Sequence, residues 1–415
     1  MKALLQISRV IVGSLFIFSG LIKANDPLGL SYKMQEFLEL WGMTQFNNLT
    51  LVMSIIMIAF EIIAGAALLL GWRMKLFIWL LLLLTLFFTF LTGYAYLSGK
   101  FKNCGCFGDC IPITPLTSFI KDLVLTGLIL ILFAGRRKID PLMQKGAGLS
   151  MMLVTIASFG IQWYTLTYLP VFDCLPYKTG NNIPALQKIP ANAVPDSTVI
   201  TFKYLKAGQP VEFTADKFPD DFNDSLYEFK GRYDKLIRKG KNNEPPIKGF
   251  VLTGNSGADS TAVVLNDEQA VLIFCENFNT SIAEWEGELK ELMAATREKN
   301  VPVYIVTARR EEAINAFRNA GYPELPIFTA DNTAIRTAAR TNPCIYLLNK
   351  GTIIEKQGYR RCHLIIKKIQ GSAKLPAASK QPSRDTTKAD PAMQAPVDDS
   401  TVTSPGFLAF NLRRS

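Results

Sequence analysis

Long runs of apolar residues fill the first 170 residues of the chain, and charged residues collect after them. A helix needs about 20 residues to cross the hydrocarbon core of a bilayer. Five segments reach or approach that length: Ile7–Ile22, Leu49–Trp72, Leu76–Leu97, Leu116–Ala134 and Ser150–Leu169. The first is short and contains Arg9, but no small-residue cleavage site follows it, so we expect a retained helix rather than a signal peptide. The pattern predicts a helical membrane bundle followed by a water-soluble region.

The second half of the chain has shorter elements. Residues Thr198–Thr214 predict a hairpin, because two alternating segments flank a Gly-containing turn. Residues Asp216–Lys239 predict a surface helix or loop. After that, apolar strands alternate with amphipathic helices, a pattern typical of a three-layer α/β domain. The predicted strands are Phe250–Leu252, Ala270–Phe274, Pro302–Thr307, Pro326–Phe328, Ile345–Leu348 and one that follows a turn at Gly351–Ile354. The predicted helices are Ile282–Lys299, Glu311–Ala320 and Asn332–Arg340.

These patterns divide the chain into five parts. Residues 1–140 form a four-helix membrane unit, 141–170 a fifth spanning helix, 171–247 an external β-rich connecting segment and 248–371 the α/β domain. Residues 372–415 are rich in Ser, Thr, Pro, Ala, Lys and Asp. Such a segment cannot bury enough apolar surface to fold, so we expect a disordered tail.

Basic residues set the expected orientation, because loops rich in Lys and Arg remain in the cytoplasm. They occur before or within the first span, between the second and third spans, and after the fourth: Lys2, Arg9, Arg73, Lys75, Arg136, Arg137 and Lys138. We therefore expect a bacterial inner-membrane protein with a cytoplasmic N-terminus and a periplasmic C-terminal domain.

Composition narrows the possible functions. The chain is 49% hydrophobic with a net charge of +10, and its basic residues are spread out. We expect the lipid bilayer as a partner and no nucleic acid. His363 is the single histidine, which excludes His-rich metal sites and hydrolases that use a Ser-His-Asp or Cys-His arrangement.

Three cysteines crowd the loop between the third and fourth spans, in the sequence Cys104-Gly105-Cys106-Phe107-Gly108-Asp109-Cys110. Cysteines this close together indicate a disulfide, a thiol relay or a thiolate metal clip. None of the seven cysteines lies in a predicted cytoplasmic loop, which favours disulfide chemistry over metal binding. Cys174 follows the fifth span closely enough to reach this loop, so a disulfide within the loop and one to Cys174 both remain open.

Charged residues inside the predicted spans need partners, because a charge at membrane depth is costly. Glu61 falls near the middle of the second span, and Lys121 and Asp122 lie about two turns into the fourth. They form either structural ion pairs or a proton path or cofactor contact near the thiols. Lys121 has a third option, because its long side chain can extend to the membrane surface.

The membrane unit resembles the DoxX family, and in particular its MauE branch. The resemblance covers roughly residues 1–140 and rests on Arg9-x3-Gly13, Phe18-Ser19-Gly20-x2-Lys23, Glu61-x3-Gly65 and Cys104-Gly105-Cys106-Phe107-Gly108. MauE-like proteins are associated with disulfide formation in periplasmic proteins alongside a thioredoxin-like partner, and DoxX relatives with quinone-coupled sulfur oxidation. The resemblance therefore implies envelope thiol proteins as partners. Together with an analogy to vitamin K epoxide reductase, it implies a quinone as the candidate cofactor.

Residues 248–361 resemble a thioredoxin-like domain of the TlpA type. Val271–Phe274 takes the place of the central strand, Asn342-Pro343 that of the residue and cis-proline facing the active site, and Leu347–Ile354 that of the final hairpin. The family's two redox cysteines fall here on Asn279 and Ile282, so the domain lacks the C-x-x-C pair that exchange chemistry requires.

The other cysteines of this domain allow two interpretations. Cys275 and Cys344 lie on strands expected to be neighbours, so they are either buried small apolar residues or a disulfide pair. Cys362 near the end of the domain is expected to be unpaired.

Two functions remain open on the sequence. In the first, the chain is a membrane-anchored component of thiol–disulfide or sulfur redox metabolism, with Cys104, Cys106 and Cys110 as the redox set and Glu61, Lys121 and Asp122 as polar partners. In the second, the cysteines form structural disulfides and a redox-dead thioredoxin-like domain serves a binding or assembly role without catalysis.

Overall fold

The computed structural model describes residues 2–101, 105–137, 139, 146–238 and 240–375. The predicted tail from residue 376 onward, Lys138 and Cys104 lie outside the described residues.

The first half of the chain is a helical membrane bundle. Among the described residues, five helices are long and apolar enough to cross a membrane. The helices in chain order are α1 (Lys2–Asn25), α2 (Pro27–Leu40), α3 (Thr50–Leu70), α4 (Met74–Ser98), α5 (Pro115–Gly135) and α6 (Ala147–Tyr168), with a 3-10 helix over Thr44–Leu49 before α3. All helices except α2 are spanning helices, and the 3-10 helix extends the span of α3 to Thr44–Leu70.

Helix α2 lies between the first two predicted spans, where no helix or strand was predicted from the sequence. Asp26 caps its N-terminus by accepting a hydrogen bond from the Gly29 N–H, and Pro27 occupies the first helical position. Both are standard signals for a helix start. The helix lies at the end of the bundle that also carries the cysteine loop.

Helices α1 and α3 pack closely because glycines face each other. A Cβ atom on Gly65 would stand 2.7 Å from the carbonyl oxygen of Gly13, a distance that side chains do not adopt. Arg9, the charge that weakened the prediction of the first span, is buried and donates to the carbonyls of Leu68 (2.7 Å) and Leu69 (2.6 Å). These are last-turn carbonyls of α3, which lack partners within their own helix. Arg9 is thus a structural link between two spans.

A three-stranded antiparallel sheet follows the bundle and the short helix α7 (Ile183–Leu186). Its strands are β1 (Ser197–Lys206), β2 (Gln209–Thr214) and β3 (Tyr227–Arg238), in the order β2-β1-β3. The predicted hairpin matches β1 and β2. The prediction of a helix or loop over Asp216–Lys239 is wrong for β3, whose aromatic residues join those of β1 and β2. Packed rings include Tyr204, Phe213, Phe218, Phe222 and Tyr227.

The last part is a three-layer α/β domain. Its elements are α8 (Thr261–Leu265), β4 (Ala270–Cys275), α9 (Glu286–Lys299), β5 (Val303–Thr307), α10 (Arg310–Asn319), β6 (Ile327–Thr329), α11 (Asn332–Ala338), β7 (Cys344–Asn349), β8 (Thr352–Gly358) and α12 (Cys362–Gly371). The strand order is β6-β5-β4-β7-β8, with β4, β5 and β6 parallel and β7 and β8 antiparallel. This is the thioredoxin-like arrangement expected from the sequence.

Three details of this domain differ from the prediction, the first being the short helix α8, which was not predicted. Residues 250–252 form no strand, and only the neighbouring Thr253 makes isolated bridges, to Asp259 and Thr329. Helix α12 was not predicted, although its isoleucines at 365, 366 and 369 belong to the core on one face of the sheet.

Candidate functional site

Glycines shape the cysteine loop. Gly105 and Gly108 have φ values of +69° and +58°, in the left-handed region that favours glycine, and the Gly108 N–H donates to the Gly105 carbonyl at 3.0 Å. The resulting tight turns present Cys106 to the bundle and Cys110 to the chain that leaves α6. Cys110 forms a disulfide with Cys174, with a Cα–Cα distance of 4.9 Å. Of the pairings open on the sequence, the structure contains the one to Cys174. A three-thiolate metal clip is then not available, because Cys110 is not a free thiol.

Cys106 is a free, half-buried thiol in the wall of a cavity inside the bundle. Burial raises the pKa of Cys106, and the nearby Lys121 ammonium partly offsets this while Asp122 adds to it. The thiol therefore remains protonated near neutral pH. Its surroundings contain two ion pairs of the membrane half.

The first ion pair joins α1 to α3. Lys23 and Glu61 lie 2.6 Å apart, with side chains only 3% and 1% exposed. The Ser19 hydroxyl lies 3.2 Å from Glu61 Oε2 and 3.1 Å from the Cys106 carbonyl oxygen. Glu61 is thus connected through Ser19 to the backbone of the cysteine loop.

The second ion pair lies on α5, where Lys121 contacts the neighbouring Asp122. The Thr92 hydroxyl of α4 donates to Asp122 Oδ2 at 3.1 Å. The Lys121 ammonium also lies 5.4 Å from the ring centre of Phe107 in the cysteine loop. Lys121 therefore faces the thiol loop.

The cavity contains about 1150 Å³ of empty space, including its open mouth. Its walls are largely aromatic, aliphatic and thioether side chains, among them Phe37, Trp41, Met53, Met57, Phe87 and Phe88. The polar part of its lining includes Cys106, Lys23, Glu61, Lys121 and Asp122. Such a site fits an apolar ligand of moderate size with a few polar atoms.

The α/β domain contacts the cysteine loop through a buried arginine. Arg340, 4% exposed, lies 2.8 Å from Asp26 and 2.7 Å from Asp109. Burial lowers the pKa of Arg340, but the two carboxylates outweigh this and raise it overall, so the guanidinium remains charged. One side chain thus joins the α/β domain to the start of α2 and to the cysteine loop.

A second group of contacts lies beside Arg340. The Tyr32 hydroxyl of α2 donates to Glu276 at 2.9 Å, and Glu276 also pairs with Arg336 at 2.8 Å. The guanidinium carbons of Arg336 and Arg340 lie 4.8 and 5.3 Å from the Tyr32 ring centre. Burial and Glu276 raise the pKa of the Tyr32 hydroxyl, so it remains a donor.

The two positions at which the resemblance to thioredoxin-like proteins predicts redox cysteines carry no thiol. Asn279 and Ile282 occupy the two expected positions, and Ile282 is buried at the start of a helical turn capped by Ser281. The Asn342–Pro343 peptide bond is cis. The Asn342 amide donates to the Asn277 carbonyl at 2.8 Å and accepts from the Glu276 N–H at 2.9 Å, which joins the two segments.

The alternative of a Cys275–Cys344 disulfide is wrong in this structure. Cys344 is opposite Phe274 in the sheet, one residue out of register with Cys275. Because side chains alternate between the faces of a sheet, the two thiols belong to different cores. Both are free and buried, and burial raises the pKa of Cys275 to about 12 and that of Cys344 to about 11. Cys362 is also a free, buried thiol.

The structure brings most of the predicted site residues together and adds others. Cys106, Glu61, Lys121 and Asp122 line one cavity, and Cys110 and Cys174 are bonded beside it. Sequence reasoning missed Lys23 as the partner of Glu61, although Lys23 lies four residues after Ser19 on one face of α1. It also missed the contacts of Arg340 with Asp26 and Asp109, which no local pattern signals.

Comparisons with known proteins agree with the resemblance of the membrane half to MauE. Residues 1–135 match the family of the methylamine utilisation protein MauE, so this part of the chain is MauE-like. Residues 198–239 match a domain family of unknown function. The chain is 31% identical over 128 residues to protein TlpB of Flavobacterium psychrophilum, a match that covers 30% of this chain and 35% of that protein. The chain therefore spans about a third of the length of this curated relative.

Two solved structures match about the same share of the chain. One is the bacterioferritin comigratory protein of Xanthomonas campestris, described with alkyl peroxide reduction activity (13% identity, TM-score 0.24, 29% of this chain and 89% of that one). The other is the C-terminal domain of a proposed thiol–disulfide oxidoreductase from Bacteroides thetaiotaomicron (14% identity, TM-score 0.23, 29% and 92%).

Proposed function

We propose that this membrane protein is a thiol–disulfide redox component of the bacterial inner membrane, with the cysteine loop and the α/β domain on the periplasmic side. The observation that carries the proposal is the position of Cys106. It is a free thiol in the wall of an intramembrane cavity, beside two ion pairs. Buried charges at membrane depth are expensive and typically mark functional sites.

In this proposal Cys106 and Cys104 are the pair that changes oxidation state, while the Cys110–Cys174 disulfide fixes the loop. This narrows the predicted redox set, because Cys110 is bonded to Cys174. Oxidation of two thiols to a disulfide releases two electrons and two protons. Lys121 favours the thiolate form of Cys106, since its positive charge acts against the effect of burial on the thiol pKa.

A membrane quinone is the proposed acceptor. The described residues fit such a group, because the cavity wall is mostly apolar and its few polar groups include Cys106 and Glu61. When bound, a quinone supplies a two-electron, two-proton acceptor. The chain's own part is to hold the ring near the thiol and to manage protons, and the Lys23–Glu61 pair, connected through Ser19 to the cysteine loop, is placed for this.

The test uses the full chain in nanodiscs with decylubiquinone and a dithiol donor. We expect quinone reduction above the protein-free rate, and a large loss with Cys106→Ser or Cys104→Ser. Cys362→Ser is the matched control, because this buried thiol lies in the α/β core far along the chain from the cavity. Equal rates for Cys106→Ser and the control would contradict the proposal.

A second function has its own support. The α/β domain has no thiol at the redox positions, and its edge is engaged with α2 and the cysteine loop. These observations favour a non-catalytic role in binding or assembly, with Cys110–Cys174 as a structural disulfide. Peptide mapping under mild reductant separates the two proposals. If every cysteine keeps one oxidation state with and without oxidant, the binding role is favoured.

A further inference from the structure

The end of the bundle opposite the cysteine loop carries a second candidate site. Four cations surround one pocket there: Arg73 and Lys75 from the α3–α4 turn, and Arg136 and Arg137 after α5. We call this space the basic pocket and define it by these four cations. Apolar residues complete its lining, including Met74, Leu76 and Ile139, and it contains about 970 Å³ of empty space including its open mouth. Neither the thiol site nor the contacts of the α/β domain use it.

Two turns that are about sixty residues apart in sequence bring these cations together. Gly71 ends α3 with φ +77°, and Arg73 precedes α4 with φ +43°, a conformation that is uncommon outside glycine. On the other side of the pocket, the Arg136 guanidinium donates to the Phe133 carbonyl at 2.8 Å. Its central carbon lies 4.0 Å from the centre of the Phe133 ring. The Phe133 ring meets Trp79 of α4 edge-on at 4.9 Å. This contact joins α4 to α5.

The four cations of the basic pocket are less buried than the paired cations Lys23 and Arg340. Exposed are Arg73, Lys75 and Arg137, while Arg136 is half-buried. Lys23, Lys121 and Arg340 each have a carboxylate partner. Among the described residues, no carboxylate forms an ion pair with any of the four cations of the basic pocket. Like charges around one space repel, so an anion bound there would lower the electrostatic free energy. The enrichment of Lys and Arg in cytoplasmic loops would explain basic residues at this end of the bundle. It does not explain why the basic residues of two separate turns line the same pocket.

An apolar stripe on α4 begins at the same pocket. Residues 76, 79, 83, 86 and 90 repeat at helical spacing, and their side chains are exposed on the outside of the bundle: Leu76, Trp79, Leu83, Leu86 and Phe90. From residue 76 to residue 90 the helix rises about 21 Å, more than half the hydrocarbon thickness of a bilayer. A ligand that uses both features has an anionic head and long apolar chains.

We propose that the basic pocket binds the headgroup phosphate of an anionic phospholipid, whose acyl chains lie along this stripe of α4. Guanidinium groups bind phosphate oxygens in pairs, which a lysine ammonium does not do. Basic pockets between spanning helices are established binding sites for anionic lipid headgroups.

The test is native mass spectrometry of the full chain in detergent with phosphatidylglycerol, and separately with phosphatidylcholine. We expect phosphatidylglycerol adducts on the unmodified chain and about tenfold weaker binding after Arg73→Gln with Arg137→Gln. Arg361→Gln with Lys178→Gln is the control, because these cations line a different pocket at the cysteine end and should leave the adducts unchanged.

A charge-preserving variant protects the test against failed membrane insertion. Arg73→Lys with Arg137→Lys keeps the positive charges that direct insertion, and removes the paired hydrogen bonds to phosphate. We expect binding intermediate between that of the unmodified chain and that of the Gln variant. Equal adducts with phosphatidylcholine would overturn the proposal. Full competition by inorganic phosphate would also overturn it. The same holds if both the Lys variant and the Gln variant bind phosphatidylglycerol as well as the unmodified chain does.

Discussion

Asp109 and Asp173 stand in the same relation to the Cys110–Cys174 disulfide, because each directly precedes one of its cysteines and each pairs with a buried cation of the α/β domain. Asp109 lies 2.7 Å from Arg340, and Asp173 lies 2.8 Å from Lys356. The two cations are only 4% and 3% exposed. The disulfide and its flanking ion pairs therefore form one junction between the membrane half and the α/β domain.

Removal of Arg340 should weaken this junction strongly. Arg340→Gln leaves the Asp26 and Asp109 carboxylates without their cation, and loss of one partner from a buried ion pair costs about 3 kcal/mol. We expect faster hydrogen exchange in residues 105–110 and at the start of α2. Arg336→Gln is the control, because its ion pair with Glu276 is more exposed and should matter less.

A double-mutant cycle assigns the effect to the contact itself. If Asp109→Asn and Arg340→Gln act through their ion pair, their combined effect on unfolding should be smaller than the sum of the single effects. Strict additivity would show that the two residues act independently.

The cysteine pairing makes a direct prediction for peptide mapping without reduction. We expect a peptide with Cys110 joined to one with Cys174, and Cys106 open to alkylation. Cys174→Ser should cost about 2–4 kcal/mol, since the disulfide closes a long loop. Cys275→Ser, which changes a thiol in a different core, should leave the Cys110 pairing unchanged. Recovery of Cys106 in a disulfide with Cys174 would contradict the assigned connectivity.

Cys106 should react slowly with alkylating agents at neutral pH. Its pKa is raised by burial above the usual value of about 8.5, so the thiolate fraction grows only as pH rises past that value. Lys121→Met should shift the pH profile of N-ethylmaleimide labelling further upward, because the nearby positive charge favours the thiolate. Lys178→Met, at an exposed position, serves as the control. A downward shift for Lys121→Met would show that the ammonium does not act on the thiol.

Variants of the Lys23–Glu61 pair distinguish a role in stability from a role in the proposed activity. Glu61→Gln leaves the Lys23 ammonium without its carboxylate inside the bundle, which should destabilise the protein by about 3 kcal/mol. Adding Lys23→Met removes the stranded charge and should restore much of the thermal stability. If the pair manages protons for quinone reduction, the double variant remains slow in that assay despite its recovered stability. A double variant with full activity would assign the pair a purely structural role.

The spanning helices and most α/β elements were predictable because their hydrophobic patterns are local. The predicted spans differ from the observed helices by a few residues at each end. Helix α2 and strand β3 are among the elements that were missed despite local signals. Helix α2 begins with the cap Asp26-Pro27, and β3 alternates aromatic and polar residues from Tyr227 through Phe229.

The candidate site was predictable only in part. Clustered cysteines and charges within apolar runs identified Cys106, Glu61, Lys121 and Asp122, since both features are unusual in sequence. The partners of those charges depend on how helices and domains pack. Arg340 and Asp109 are 231 residues apart, and no pattern within either segment indicates that they meet.

The long separation between Asp109 and Arg340 also sets an order on biogenesis. A chain is made from its N-terminus, so the helices of the bundle enter the membrane before Arg340 and Lys356 exist. Until then Asp26, Asp109 and Asp173 have no cation from the α/β domain, and the cysteine loop lacks its contact with Arg340. The complete junction can therefore form only after synthesis has passed residue 356. A chain truncated before that point would display an uncovered cysteine loop, a feature by which quality-control proteases could distinguish it from the finished protein.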